Sequence, residues 1–134
     1  MEFEYVLEIK ESHLDTFGHV NNATYLSLYE EARWDFITER GYGLPVILEQ
    51  KIGPVLLDAH IKFKKELTNR EKITIKSKSL KMSHGLIMSM HQSMHKESGE
   101  LASTLDIKVG LMDTRKRKLI SPTKQWLYAI GLEQ

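Results

Sequence analysis

The sequence predicts an α+β fold with an antiparallel sheet, and three observations support this class. Apolar residues recur at helical spacing over 23–40, the only long pattern of this kind in the 134 residues. One strand-like segment precedes this helix and four consecutive ones follow it. Short polar stretches join the four later segments. Together these features favour an antiparallel sheet wrapped around one central helix.

The first strand and the helix are predicted from their periods. Over the first ten residues apolar and charged side chains alternate, apart from Val6, as in a strand with one buried face. In the helix, Leu28 and Trp34 widen the apolar surface, which indicates that a sheet curls round it and a second subunit covers the rest. Gly41 fits the position just past the last turn. The helical side chains that recur at core spacing are Tyr25, Leu26, Tyr29, Ala32, Phe36 and Ile37.

The chain after the helix is predicted to be mainly strands. Residues 44–51 can form a short second helix with Pro45 near its start. Gly53 and Pro54 are expected to break the chain, and Ser98-Gly99 marks a turn between strands. A short helix is expected after Pro122, closing one edge of the domain. The four predicted strands span 54–64, 71–82, 85–96 and 101–112.

Composition restricts the functional classes. Nineteen basic and eighteen acidic residues leave a net charge of +1, which gives no basis for a nucleic-acid partner. The lack of cysteine excludes a disulfide framework, a thiol nucleophile and a Cys-based zinc site, and it suits the cytoplasm. No basic start with an apolar run and no membrane-spanning run is found. We therefore expect one domain, residues 1–134, soluble and cytoplasmic, without membrane insertion.

Chemistry-bearing residues concentrate in the stretch from Asp15 to Tyr25. Gly18 permits a tight turn, and Asn21 or Asn22 can cap the helix that follows. A helix start presents unpaired N–H groups and a partial positive charge, which can hold a carbonyl oxygen that becomes negative during a reaction. Asp15 beside it would supply a base or a nucleophile.

A longer string around this stretch has the pattern of a known family. Its parts are His13-Leu-Asp15, His19-Val-Asn-Asn22, Tyr25-Leu26 and Glu30-Glu-Ala-Arg-Trp-Asp35. They resemble the signature of hotdog-fold acyl-CoA thioesterases, the 4-hydroxybenzoyl-CoA thioesterase-like family, and most of all the long-chain enzymes of bacterial fatty-acid degradation. The specific match covers residues 13–35. The resemblance implies a five-stranded sheet around the helix, hydrolysis of acyl-CoA without a cofactor, and homodimers that pair into tetramers.

The family's residue roles transfer position by position. The resemblance implies that Asp15 is the catalytic carboxylate and that the N–H of Asn22 polarises the thioester carbonyl, while water activation and direct attack both stay open. His19 either orients Asp15 or water, or only fills the turn. Many relatives have an aspartate where this chain has His13. Plant acyl-carrier-protein thioesterases have an asparagine where it has Phe17, so their catalytic triad is not carried over.

The same stretch suggests the substrate contacts. Gly18 shapes the loop, while Tyr25, Leu26 and Tyr29 follow the proposed oxyanion site along the helix. An acyl tail anchored there would run along apolar side chains, so we expect medium- to long-chain aliphatic acyl groups. A purely structural role in the core is the alternative for these residues.

Other candidate residues carry weaker signals. His91 and His95 lie about 13 Å apart in a strand and therefore cannot share a metal ion. Methionines of the same strand, expected on its other face with Leu86, fit a plain core better than an acyl pocket. Weak candidates for the phosphates of coenzyme A are Arg115-Lys-Arg-Lys118, Lys64, Lys65, Arg70 and Lys81.

Two other functions stay open at this point. Hotdog folds also host hydratases and dehydratases of acyl thioesters, in which Asp15 and His19 would move protons at the acyl α and β carbons. The third reading is an acyl-CoA-binding regulator without catalysis, although 134 residues leave little room for a DNA-binding domain beside this fold.

Overall fold

The structure is a computed structural model that describes residues 1–80 and 85–132. One 3₁₀ turn at Glu11–His13 joins the first strand to the long helix. The helices are α1 Asn22–Glu39, α2 Leu44–Gln50 and α3 Lys124–Ala129. The strands are β1 Glu2–Glu8, β2 Ile52–Phe63, β3 Lys72–Ser79, β4 Ile87–Lys96, β5 Leu101–Asp113 and β6 Lys118–Ile120.

All strand pairs of the sheet are antiparallel, in the order β1-β3-β4-β5-β2, and β6 adds to β5. The predicted α+β class with one long helix against an antiparallel sheet is confirmed. Among residues 1–80 and 85–132 the sheet has six strands where five were expected. The sequence did not reveal β6, because three residues are too few to show a period. None of the helices in the described part of the chain combines the length and apolar character needed to cross a membrane.

α1 packs its apolar side against the sheet. Its start and end agree with the expected caps: Asn21 Oδ1 accepts from the N–H of Ala23 at 2.9 Å, and Gly41 takes a φ of +88° beyond the last turn. Leu26, which was expected on the core side, is 41% exposed. At 100° per residue it lies between Tyr29 and Ile37, which are both buried, so its angular position does not account for its exposure. The buried residues of α1 are Tyr25, Leu28, Tyr29, Ala32, Phe36 and Ile37.

The expected break at Gly53 and Pro54 is wrong, because both residues lie inside β2. β2 ends the strand order, and a proline on an edge strand can turn its missing N–H away from the ladder. Gly53 is needed for packing, since a Cβ there would lie 2.8 Å from Ile47 Cγ2 of α2. β2 therefore starts earlier than its sequence pattern indicated.

β4 places its methionines on the buried face as expected, although Gln92 on the same face is also fully buried and Leu86 does not follow the pattern. Met88, Met90 and Met94 are buried, whereas Leu86 precedes the strand and is 37% exposed. On the other face, His91 Nδ1 lies 2.7 Å from Asp106 Oδ1 of β5. His95 Nε2 lies 2.8 Å from Ser93 Oγ. The two histidines thus make separate local contacts.

Candidate active site

The loop between β1 and α1 folds back on Asp15. The N–H of Asp15 donates to the carbonyl of His19 at 2.8 Å, and the N–H of Gly18 donates to the carbonyl of Asp15 at 3.2 Å. Gly18 has a φ of +81°, a left-handed conformation that is costly for residues with a Cβ. The sequence therefore closes a tight turn that presents the Asp15 side chain at its base.

The carboxylate of Asp15 is held by one oxygen. Oδ1 accepts from the N–H of Phe17 at 2.8 Å and from the N–H of His19 at 3.3 Å. Within the described residues, Oδ2 has no hydrogen-bond partner. One oxygen thus fixes the side chain while the other remains available to water or to a ligand.

The start of α1 leaves one backbone donor free. The N–H of Ala23 donates to the side chain of Asn21, and the N–H of Thr24 donates to the carbonyl of Asn21. The N–H of Asn22 finds no acceptor among residues 1–80 and 85–132. It is the first residue of α1, where unpaired N–H groups and the helix dipole favour a negatively charged oxygen.

Residues 64–68, the segment after β2, lie opposite the loop and the start of α1, and we refer to them as the wall. Backbone pairing holds it to the loop, since Val20 N–H donates to the carbonyl of Leu67 at 3.0 Å and His19 forms an antiparallel bridge with Thr68. The rings of Tyr25 and Phe63 meet edge to face at 5.0 Å. These contacts bring residues distant in the sequence to the start of α1.

Loop, helix start and wall border a solvent-open cavity of about 270 Å³, to which we refer as the front cavity. Its lining residues are Asp15, His19, Val20, Asn22, Tyr25, Phe63, Lys64, Lys65 and Glu66. The three predicted catalytic positions therefore lie together. Sequence reasoning missed Phe63 and Glu66 as site residues, because only the long-range pairing of the wall reveals them.

The predicted substrate-binding residues do not all reach this cavity. Tyr25 lines it, and Gly18 shapes its loop. Tyr29 is fully buried beneath, where burial raises the pKa of its hydroxyl. Leu26 is exposed and is not part of the lining. Within this chain, an acyl group in the front cavity would touch Tyr25 rather than Leu26 or Tyr29.

The basic candidates separate clearly. Lys64 and Lys65 line the front cavity, with Lys65 Nζ 3.6 Å from Glu100. Arg70 is held by Glu8 and Glu11 at 3.1 and 2.6 Å. The run from Arg115 to Lys118 forms the turn between β5 and β6 and the first residue of β6. Lys81 lies outside the described residues.

A second cavity of about 180 Å³, the rear cavity, lies along the later part of α1. Arg33 borders it and donates from Nη1 to Gln92 Oε1 at 2.7 Å. The desolvation of this guanidinium lowers its pKa. The lining is largely apolar: Trp34, Phe36, Ile37, Pro54, Leu56, Met88, Met90, Val109, Trp126 and Ile130, with Glu30, Arg33, Ser79 and Ser89 as its polar members.

Sequence comparisons find a family and a relative. Residues 10–130 match the family described as the thioesterase-like superfamily. The long-chain acyl-CoA thioesterase FadM of Escherichia coli strain K12 is 32% identical over 71 residues, which is 53% of this chain and 53% of that protein. The match thus spans about half the length of that relative.

Solved structures share the fold. Hypothetical protein SAV2348 of Staphylococcus aureus, solved in complex with CoA, superposes with a TM-score of 0.89 at 17% identity, covering 98% of this chain and 82% of that one. Slr0204 of Synechocystis, a 1,4-dihydroxy-2-naphthoyl-CoA thioesterase, gives a TM-score of 0.88 at 16% identity, covering 98% of this chain and 96% of that one. At these identities the similarity establishes the fold alone.

Proposed function

We propose that this chain, which belongs to the thioesterase-like superfamily, hydrolyses acyl-CoA thioesters to the free acid and coenzyme A. One observation carries the proposal. The free oxygen of Asp15 and the unpaired N–H of Asn22 belong to two residues that line the same front cavity. A base or nucleophile and an oxyanion donor are what an activated acyl group with a good leaving thiolate requires.

The geometry suggests how the substrate sits. The thioester oxygen accepts from the N–H of Asn22, so the charge that develops on it meets the positive end of α1. Asp15 Oδ2 either takes a proton from an attacking water or attacks the carbonyl carbon itself, and in both routes the C–S bond breaks with its electrons on sulfur. Gly18 and His19 hold the loop that presents Asp15.

The second candidate function is hydration or dehydration of an acyl thioester. It is supported by the presence of both His19 and Asp15 in the front cavity, since such reactions need an imidazole and a carboxylate near the acyl α and β carbons. The two functions differ in which bond breaks. Only hydrolysis releases a free thiol.

For the acyl group we propose medium- to long-chain aliphatic substrates. FadM is a long-chain acyl-CoA thioesterase, which supports this class, and the apolar lining of the rear cavity offers a surface that suits an alkyl chain. Slr0204 is a 1,4-dihydroxy-2-naphthoyl-CoA thioesterase, which supports the rival class of aromatic acyl groups. A role in fatty-acid metabolism follows only if the first class holds.

We further propose that the chain forms homodimers and that two dimers pair into a tetramer. In the part of the chain that the structure describes, β2 pairs only with β5, and its Leu56, Leu57 and Phe63 are each nearly half exposed. An unpaired edge with exposed apolar side chains favours a symmetric partner. A stable monomer in sedimentation at micromolar concentration contradicts this assembly.

One panel of substrates tests the function. Saturated acyl-CoAs from acetyl to palmitoyl, an aromatic acyl-CoA and a trans-2-enoyl-CoA are assayed for free thiol and for the conjugated double bond. Thiol release from saturated chains is expected. Loss or gain of the conjugated double bond without thiol release supports the hydratase or dehydratase. Tight binding without turnover supports a non-catalytic acyl-CoA-binding protein.

A further inference from the structure

Glu66 borders the front cavity, although no sequence pattern marks it. It lies in the wall segment after β2, and its Oε2 is 3.1 Å from Nε2 of His19. Both residues line the front cavity together with Asp15 and Asn22. The site thus contains a second carboxylate, which contacts the imidazole of the loop that carries Asp15.

The fold imposes this contact. His19 and Thr68 form an antiparallel bridge, and the N–H of Val20 donates to the carbonyl of Leu67, so the two segments run side by side. Glu66 is thereby placed next to the imidazole by backbone pairing. Its side chain is 72% exposed, and ion pairs this exposed contribute little to folding stability. Removal of the Glu66 charge should therefore leave the fold intact.

The contact distinguishes the two nitrogens of the imidazole. When one ring nitrogen is held by a carboxylate it carries a hydrogen, and the other nitrogen of the neutral ring is then an acceptor. Nδ1 of His19 has no hydrogen-bond partner among the described residues. It is therefore free to accept a hydrogen bond from water in the front cavity.

Resting on the proposed thioester hydrolysis, we propose that Glu66 is a positioning residue. It holds His19 through Nε2, and Nδ1 then orients the attacking water beside Asp15. In the reaction the water oxygen bonds to the carbonyl carbon and one water proton moves to Asp15 Oδ2. The second hydrogen stays bonded to oxygen and points at Nδ1. The C–S bond breaks with its electrons on sulfur, and the thiolate then takes up a proton.

Thiol release from decanoyl-CoA tests this role in four variants. Glu66→Gln keeps the size of the side chain and removes its charge. Glu100→Gln is the matched control, because Glu100 contacts Lys65 of the same segment but lines neither cavity. His19→Ala and the double variant of His19 and Glu66 complete a mutant cycle, and melting curves verify that each variant is folded.

We expect Glu66→Gln to lower kcat by about tenfold with little change in KM. An amide can donate to Nε2 of His19 as well as accept from it, so the tautomer that leaves Nδ1 as the acceptor is no longer fixed, whereas substrate binding is unaffected. His19→Ala should have a similar effect, and Glu66→Gln should then add less than about twofold to it. An equal effect of Glu66→Gln with and without His19, or one no larger than that of Glu100→Gln, overturns the positioning role while hydrolysis stands. A wild-type protein that releases no thiol overturns the proposed function itself.

Discussion

The two cavities beside α1 differ in chemistry although one helix borders both. The front cavity, at the helix start, contains two carboxylates, an imidazole and an unpaired backbone N–H. The rear cavity is surrounded mostly by aromatic, aliphatic and thioether side chains, with Arg33 engaged by Gln92. No residue lines both. α1 therefore offers an unpaired backbone donor at its first turn and a largely apolar surface, with Glu30 and Arg33 as polar members, farther along.

This difference follows from what each part of a helix can supply. The first turn has N–H groups without intrahelical acceptors, so it attracts a developing negative charge. Later turns satisfy their own backbone groups and present only side chains. The carbonyl of a thioester needs the free N–H groups of the first turn, whereas an alkyl chain needs only the apolar side chains of later turns. Variants at each cavity should consequently alter different kinetic parameters.

The largest expected effect is at Asp15. Asp15→Asn keeps an oxygen that can accept from Phe17 and His19, so the loop should persist, but the charge that activates water or attacks is lost. We expect kcat to fall by roughly 10²–10⁴-fold with substrate binding little changed. Steady-state assays of thiol release on the purified variant measure this.

Asp113 provides the matched control for that change. Like that of Asp15, its Oδ1 accepts from two backbone N–H groups of the residues that follow, here Arg115 and Lys116, but it lines neither cavity. Asp113→Asn should leave kcat unchanged within about twofold. If Asp15→Asn retains most of its activity, or the two variants behave alike, Asp15 is only a loop residue.

The second prediction isolates the backbone donor at Asn22. Proline is tolerated at the first helical position, and Asn21, with φ −63° and ψ 140°, already has the conformation favoured before proline. Asn22→Pro thus removes the N–H while α1 can still form. We expect a loss of roughly 10²–10³-fold in kcat, the usual effect of removing one oxyanion donor.

Asn22→Ala is its control, because it deletes the side chain and retains the N–H. Thiol release should stay near the wild-type rate. Equal losses in the two variants would mean that the amide side chain matters and that the oxyanion donor has been misassigned. If only the proline variant has a lowered melting temperature, its rate of thiol release is divided by its folded fraction before it is compared with that of Asn22→Ala.

How far these residues could be predicted depends on their separation in the chain. Asp15, His19 and Asn22 fall within eight residues, so a turn and a helix start suffice to bring them together. Phe63 ends β2 and Glu66 lies in the wall segment that follows it, and only long-range pairing such as that of Val20 with Leu67 brings them to the loop. Long-range register of this kind cannot be inferred from local periods.

The fold was predicted where periods are long. β5 and α1 show sustained alternation or helical spacing, and both were expected within two residues of their observed ends. β6 was missed because three residues define no period, and Pro54 was misread as a break because its position on an edge strand depends on the sheet order. Leu26 lies on the same side of α1 as buried Tyr29 and Ile37 and is still 41% exposed, so helical spacing alone does not predict burial.

The third prediction concerns the length of the acyl chain. If the chain lies against apolar side chains, each methylene buried stabilises binding by about 0.8 kcal/mol, and four more carbons raise kcat/KM on the order of a hundredfold. The series from acetyl to palmitoyl measures this with wild-type protein. A flat series, or a maximum with an aromatic acyl-CoA, contradicts the aliphatic class but leaves hydrolysis intact.

Tryptophan fluorescence can report on a ligand in the rear cavity. Trp34 and Trp126 both line it and are the two tryptophans of the chain. Their fluorescence should change when a long-chain acyl-CoA binds to the Asp15→Asn variant and stay constant with acetyl-CoA. Constant fluorescence with both ligands would mean that the alkyl chain binds elsewhere.

The smallest expected effects compare one cap beside each cavity. Asn21 caps α1 at the front cavity, and Thr123 Oγ1 accepts from the N–H of Trp126 at the start of α3, beside the rear cavity. Replacing either by alanine should lower the free energy of unfolding by about 1 kcal/mol, measured by urea denaturation.

The two variants should differ in function, because the first loosens the turn that carries Asn22 and the second loosens Trp126. Asn21→Ala should reduce kcat without changing tryptophan fluorescence, and Thr123→Ala should do the reverse. Identical functional responses would show that the two cavities are not independent parts of the molecule.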